Sequence, residues 1–134
     1  METPLISTHI LLSGRHLNQG QALISQSRNY FAVLQEDGNF VLYVSPHFSG
    51  KNALFSTGTH KNGSKGGKGP FHLVLQKDHN LVLYDSEEEN RALWASGTKG
   101  RGKGECKLIM QDDGNLVLYD KDEAAIWSSD TCRR

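Results

Sequence analysis

Five residues recur at every second position in three places along the chain. Gln35, Asp37, Asn39, Val41 and Tyr43 form the first set, and Gln76, Asp78, Asn80, Val82 and Tyr84 the second. Gln111, Asp113, Asn115, Val117 and Tyr119 form the third, without a single substitution in any set. Each set offers a carboxylate that only accepts hydrogen bonds, two amides that donate and accept, and a phenol that does either. A vicinal diol needs that mixture, because each hydroxyl donates one hydrogen bond and accepts others. The valine between Asn and Tyr adds a small apolar patch suited to the C–H face of a pyranose ring. A strand that had only to fold could carry Thr, Ser or Lys at these places. A site on a sheet face beside a turn is shallow and open, so each one should bind weakly by itself.

Catalysis finds less support. Glycoside hydrolysis usually needs two carboxyl groups flanking the scissile bond. Each set holds one, and Asp112 has the opposite parity and should point away. The six histidines (His9, His16, His47, His60, His72, His79) show no HxH, HExxH or clustered spacing, so neither zinc chemistry nor any other metal or cofactor is called for. No GxSxG elbow occurs. Three equal sites suit binding with avidity better than an enzyme, which generally keeps one active site.

The positions between the motif residues are apolar or turn-forming, and successive side chains of an extended chain point to opposite faces. One face therefore buries Leu34, Phe40 and Leu42, then Leu75, Leu81 and Leu83, then Met110, Leu116 and Leu118. Asp37-Gly38 and Asp113-Gly114 are hairpin signals, with Asp78-His79-Asn80 in the same place of the second copy. Gln should end one strand, Asp and Asn should make the turn, and Val and Tyr should lie on the returning strand. Upstream, Ile10 to Val33 holds short β-like runs broken at Ser13-Gly14 and Gln19-Gly20; Ile10–Leu12 and Tyr30–Leu34 read as strands leading to the first motif. Each repeat closes on an aligned piece: Leu54-Phe55-Ser-Thr-Gly-Thr59, Leu93-Trp94-Ala-Ser-Gly-Thr98 and Ile126-Trp127-Ser-Ser-Asp-Thr131. The motif glutamines lie 41 and then 35 positions apart, a period of repeated supersecondary units that cannot bury their apolar faces singly. Three such sheets around a shared axis would make one core. Phe55, Trp94 and Trp127 are candidates for its centre, with stacking on a ligand as the alternative. No window has helical apolar spacing, so the chain is all-β.

At 134 residues the chain, 1–134, reads as a single domain with a real core. Fifteen basic residues against fifteen acidic ones give no net charge and argue against a nucleic-acid partner. No apolar run approaches the roughly 20 residues that span a bilayer, so membrane insertion is not expected. The start, Met1-Glu-Thr-Pro-Leu-Ile6, lacks the basic and apolar regions of a signal peptide. Two Gly- and Lys-rich segments, His60–Gly69 and Lys99–Gly104, lack the order of a phosphate loop and read as solvated mobile linkers. Asn62-Gly63-Ser64 is a glycosylation acceptor only if the chain enters a secretory pathway. Cys106 and Cys132 are compatible with one disulfide or with two free thiols.

The Gln-x-Asp-x-Asn-x-Val-x-Tyr motif, three times intact, resembles the mannose-binding signature of the bulb-type (snowdrop-agglutinin-like, B-type) lectins. Ile10-Leu-Leu-Ser-Gly14 and the Trp-Ala-Ser-Gly-Thr closer resemble the same family, so the likeness runs over roughly residues 8 to 131. In character the chain is most similar to the single-domain fish skin-mucus lectins. The resemblance implies a β-prism II fold, three four-stranded antiparallel sheets about a pseudo-threefold axis. It also implies metal-independent recognition of α-D-mannose and mannose-containing glycans, with a role in defence. Asp37 and Asn39 would hold the axial O2 hydroxyl, Gln35 O3 and Tyr43 O4, with Val41 against the ring; the same roles pass to the other two copies. It further implies a homodimer, often with the C-terminal strand exchanged. Secretion would follow a non-classical route into mucus or the extracellular space, rather than leaving the protein in the cytoplasm. The alternative is a protein-interaction module on the same fold with unused sugar sites.

The sequence also departs from the family. Plant members carry a cysteine between Asp and Asn of the first motif, bridged to one before the second; Gly38 stands there, so that bridge is absent. Cys106 and Cys132 would then pair differently, pair between chains, or stay free. Phe55 replaces a tryptophan, and the Ser45–Asn52 loop is longer than usual beside the first site.

Overall fold

The computed structural model describes residues 8–45, 47–86 and 91–133, so the reading of residues 1–6 lies outside the described residues. Each motif folds as expected into a hairpin. β4 (Tyr30–Leu34) turns into β5 (Phe40–Val44), β7 (Phe71–Leu75) into β8 (Leu81–Asp85), and β10 (Lys107–Met110) into β11 (Leu116–Tyr119). A closing strand then pairs with each: β6 (Ala53–Ser56), β9 (Arg91–Ala95) and β12 (Ala125–Ser128). One 3-10 turn, Gly50–Asn52, precedes β6.

The opening stretch behaves differently from its sequence reading. Its three runs, β1 (Ile10–Leu12), β2 (His16–Asn18) and β3 (Ala22–Ile24), do separate at Ser13-Gly14 and Gln19-Gly20. Each, however, completes a different sheet. β1 does not lead to the first motif; it pairs with β10 of the third repeat, and β2 pairs with β7 of the second. Only β3 joins β4. The sheets are thus β3-β4-β5-β6, β2-β7-β8-β9 and β1-β10-β11-β12, three four-stranded antiparallel sheets in the β-prism II arrangement. The N-terminal stretch ties all three repeats together.

Alternation puts one face of every sheet into a shared core. In β7 the odd residues Phe71, Leu73 and Leu75 are buried while His72 and Val74 are half-buried on the outer face. Leu34, Leu42, Leu75, Leu83, Met110 and Leu118 meet in one cluster. Phe55, Trp94 and Trp127 do meet one another, edge to face, with centroids 5.7 to 6.3 Å apart. They are half-buried and pack against the aliphatic cluster, so its fully buried centre is leucine, methionine and Phe40.

A register shift occurs at the same point of all three sheets, between Leu42 and Tyr43, Leu83 and Tyr84, and Leu118 and Tyr119. Strict alternation would send one residue of Leu54-Phe55, Leu93-Trp94 and Ile126-Trp127 outward. The bulge lets both members pack against the core, and bulges characteristically re-aim neighbouring side chains. Here the neighbour is the motif tyrosine.

Candidate functional site

The three motifs share one hydrogen-bonded frame. At the first turn Asn39 N–H donates to Asp37 Oδ1 (2.9 Å), and Gly38 N–H donates to the Gln35 carbonyl (3.0 Å). The same bond joins Asn80 to Asp78 and Asn115 to Asp113, each at 2.9 Å. Gly38 takes φ 89°, and a Cβ there would stand 2.7 Å from the Phe71 ring. The second copy must place His79 at φ 80°, where its ring Nδ1 bonds the Arg101 carbonyl.

The asparagines face two ways. Asn39 Oδ1 accepts from Thr57 Oγ1 (3.2 Å), Gly58 N–H (3.0 Å) and Thr59 N–H (3.2 Å). Asn80 Oδ1 accepts likewise from Ser96 Oγ, Gly97 N–H and Thr98 N–H, and Asn115 Oδ1 from Ser129 Oγ and Thr131 N–H. The hydroxyls of Thr59, Thr98 and Thr131 donate back to the carbonyls of Gly38, His79 and Gly114. These closing threonines and serines were not assigned a role from sequence. Their signal was the small-polar triplet aligned after each aromatic closer. With Oδ1 so engaged, each asparagine has its Nδ2 left as a donor, and the aspartate two residues before it supplies carboxylate acceptors. A donor next to an acceptor is what one hydroxyl needs to be held at both its oxygen and its hydrogen.

The structure also brings Gln and Tyr of each set together, but with different amide orientations. Gln35 Nε2 donates to Tyr43 Oη, whereas Tyr84 and Tyr119 donate to the Oε1 of Gln76 and Gln111. Gln76 Nε2 turns to both oxygens of Asp78 (3.1 Å each). Burial opposes ionisation of Asp78. The Asn80 N–H, the Gln76 amide and the nearby Lys99 and His79 outweigh it and hold the carboxyl below its ordinary value. At the third motif Cys132 Sγ donates to Asp113 Oδ2 (3.4 Å). Both cysteines are free thiols, Cys106 buried and Cys132 exposed. Asp112 accepts from Ser27 N–H (2.8 Å) and lines one cleft with Gln111 and Tyr119.

The three faces differ around this frame. Phe31, His72 and Lys107 stand across from Tyr43, Tyr84 and Tyr119. Phe48, from the longer first loop, stacks on Tyr43 (centroids 5.1 Å apart, planes at 25°) and leans on Phe31. Tyr43 is left 5% exposed, while the other two motif tyrosines stay half-buried. That burial, with the Asp37 charge and against the Gln35 hydrogen bond, pushes the Tyr43 phenol above its ordinary value. His72 stacks on Tyr84 instead and lies edge-on to His16.

The Gly- and Lys-rich segments are exposed along much of their length, yet two buried carboxylates fasten their ends. Asp85 accepts from Lys68 and Gly69 N–H, and Asp120 from Lys103, Asp122 and Ala124 N–H. Both directly follow a motif tyrosine, a signal the sequence offered and the motif overshadowed. Among the described residues no group of three or more His, Cys, Asp or Glu is placed to hold a metal ion. No helix among them is long and apolar enough to cross a membrane.

Three four-stranded sheets, each carrying the same Gln, Asp, Asn, Val and Tyr set, define a β-prism II protein with a threefold internal repeat. A monomeric monocot mannose-binding lectin from Gastrodia elata superposes with TM-score 0.75 at 35% identity, over 93% of this chain and 99% of that one. The mannose-specific agglutinin of snowdrop (Galanthus nivalis), solved with methyl α-D-mannoside, superposes with TM-score 0.67 at 33% identity, over 87% and 94%. A B-type lectin of the fish Scorpaena plumieri, plumieribetin, is 32% identical over 82 residues, which span 61% of this chain and 60% of that protein. No family model matches the chain. The chain belongs to the bulb-type mannose-binding lectin family.

Proposed function

We propose that this protein is a non-enzymatic, metal-independent lectin for α-D-mannose, built as one domain over residues 1–134, which recognises mannose-rich glycans through three sites. The observation that carries the reading is the thrice-repeated turn in which aspartate Oδ1 accepts from the asparagine N–H and asparagine Oδ1 is spent on the closing strand, which leaves the asparagine Nδ2 as a donor and the aspartate as an acceptor. In this reading Asp37 and Asn39 hold the axial O2, Gln35 meets O3, Tyr43 meets O4 and Val41 lies under the ring. The second and third sets repeat those roles. An equatorial O2, as in glucose, would leave the pair unmatched, and an unpaired buried polar group costs about 1–3 kcal/mol. The donor set supports metal independence: one carboxylate per site, engaged by N–H groups, among neutral amides and a phenol.

Sites on three separate faces turn weak single contacts into avidity wherever a glycan can span them. The family's mannose-binding members support this reading, and secretion by a non-classical route with a role in defence belongs to the same proposal. Homodimerisation would double the valency, although β12 already pairs with β11 of its own chain. Sedimentation at the dimer mass supports it; the monomer mass removes it.

Replacing Asp37, Asp78 and Asp113 together by asparagine tests the site assignment. Each turn keeps its Oδ1 acceptor, while the ligand-facing oxygen becomes a donor nitrogen. Binding to immobilised mannan should disappear with the fold intact, and undiminished binding would refute the assignment.

A further inference from the structure

The three motif turns share one frame but not one charge. Each is rimmed from three equivalent places. The first is the residue between Gln and Asp: Glu36, Lys77 and Asp112. The second is the residue of the N-terminal stretch whose carbonyl accepts from the last N–H before the motif. Gln21 accepts there from Leu34, Arg15 from Leu75 (3.0 Å each) and His9 from Met110 (2.8 Å). The third is the loop beyond the closing strand, which lays one N–H on the carbonyl of the motif aspartate. Lys61 donates to Asp37, Gly100 to Asp78 and Arg133 to Asp113, at 2.5 to 2.7 Å. Among the described residues at these places, the first turn sets Lys61 against Glu36 and Asp37, and the third sets Arg133 against Asp112 and Asp113. The second turn sets Arg15, Lys77, Lys99 and Arg101 against Asp78 alone.

The cationic rim is built into the fold. Gly100, at φ 75°, shapes a tight turn in which Arg101 N–H donates to the Thr98 carbonyl (3.0 Å). Lys99 and Arg101 therefore flank the N–H that meets Asp78. His79, which stands where the other motifs have Gly38 and Gly114, adds a second strap through its Nδ1 to the Arg101 carbonyl. Lys77 lies along Gly14, next to Arg15. All four cations are exposed, and none forms an ion pair with a carboxylate among the described residues. Burial opposes ionisation of Asp78; the Asn80 N–H and the Gln76 amide overcome it, and the charges of Lys99 and His79 add to them. Like charges gathered on one rim raise a positive potential that a bound anion relieves.

The position of that anion follows from the mannose reading above, on which this inference rests. In that reading O2 lies at the Asp78–Asn80 turn and O4 at Tyr84, further along β8. O1 is the ring neighbour of O2, whereas C6 is reached past O4. A substituent on O1 therefore leaves toward the cationic turn, and one on O6 toward the strand. We propose that the second site selects α-mannosyl phosphates, in which O1 carries a phosphate mono- or diester, while the first and third sites take neutral mannose. Phosphate oxygens accept charge-assisted hydrogen bonds from Arg and Lys. At the first and third turns Glu36 and Asp112 repel the same group.

The Asp37→Asn, Asp113→Asn variant leaves the second motif alone and is titrated with methyl α-mannoside, α-mannose 1-phosphate and mannose 6-phosphate. The 1-phosphate should bind at least about fivefold more tightly than the mannoside in about 0.01 M salt, and lose that gain in about 1 M salt, where the screening length falls to about 3 Å. The 6-phosphate should stay within about twofold of the mannoside, its charge lying on the strand side. Adding Lys77→Gln, Lys99→Gln and Arg101→Gln should erase the gain and leave mannoside affinity unchanged. In the converse variant, Asp78→Asn with Asp113→Asn, the 1-phosphate should bind no more tightly than the mannoside. Mannoside binding without a 1-phosphate gain at the second site overturns this inference alone. So does a gain that survives the three glutamine substitutions, an equal gain for the 6-phosphate, or an equal gain at the first site. Loss of all mannoside binding by the second-motif variant, with its fold intact, overturns the mannose reading and this inference together.

Discussion

Asn39→Ala separates the structural half of the motif from its ligand half. The substitution removes an oxygen that accepts from Thr57 Oγ1, Gly58 N–H and Thr59 N–H. Gly58 is exposed and its N–H can turn to water, and Thr57 keeps its contact with Thr59 Oγ1 (2.7 Å). Thr59, at 0% exposure, has no such recourse, so its N–H is left dry. One unsatisfied buried donor costs about 1–3 kcal/mol. With a urea dependence of about 1–3 kcal/mol per molar, the unfolding midpoint should fall by roughly 1 M. Asp37→Asn keeps the acceptor for Asn39 N–H and should stay within about 0.5 kcal/mol of the parent. Both variants should lose the first sugar site. Asn115→Ala should cost less than Asn39→Ala, since Thr131 is only half-buried. Equal midpoints for Asn39→Ala and Asp37→Asn in urea denaturation would refute this division of labour.

Other outcomes follow from the same geometry. A thiol reagent should modify one cysteine per native chain, Cys132, and two after denaturation. Burial, and then the Asp120 charge, raises the Cys106 thiol above its ordinary value. Saturating mannoside should slow the Cys132 reaction, because Cys132 touches Asp113; reaction of both thiols at one rate would contradict this account. Burial first, then the charge of His16, lowers His72 below its ordinary value near 6.5. The unfolded chain therefore binds this proton more tightly, so stability is full above about pH 6.5 and declines as pH falls toward the lowered value. His72→Gln should remove that slope in thermal unfolding, and an unchanged slope would assign it elsewhere. Asp85→Ala should destabilise by at least about 2 kcal/mol, because two loop N–H groups lose their acceptor. It should also make the 60–69 loop a preferred site of limited proteolysis, and resistance equal to the parent would count against the anchor.

Much of this was legible in the sequence because period-2 alternation is a local signal. The core residues Leu34, Leu83 and Met110 follow from parity and the hairpin turns from their Asp-Gly signals, whereas the burial of Val41, Val82, Val117 and Tyr43 on the opposite face does not. Pairing partners of short strands do not. Nothing in Ile10–Leu12 says that it lies against β10 rather than β4, since three residues carry no register information and the contact spans nearly 100 positions. The bulge was hidden for a related reason. The adjacent apolar pairs at the closers violate alternation, and only the three-dimensional register shows how both are buried. Phe48 read as part of a long loop, and its stacking on Tyr43 depends on tertiary placement. The motifs looked equivalent in sequence because their differences sit on neighbouring strands, at Phe31, His72 and Lys107.

The central claim is met most directly by calorimetric titration with methyl α-mannoside in EDTA, with the α-glucoside and α-galactoside as controls. Weak, saturable binding of the mannoside alone, near three per chain, is the predicted result. Heat from none of the three sugars, or equal binding of all three, would contradict the mannose assignment of the repeated Asp–Asn pair and leave only the fold standing.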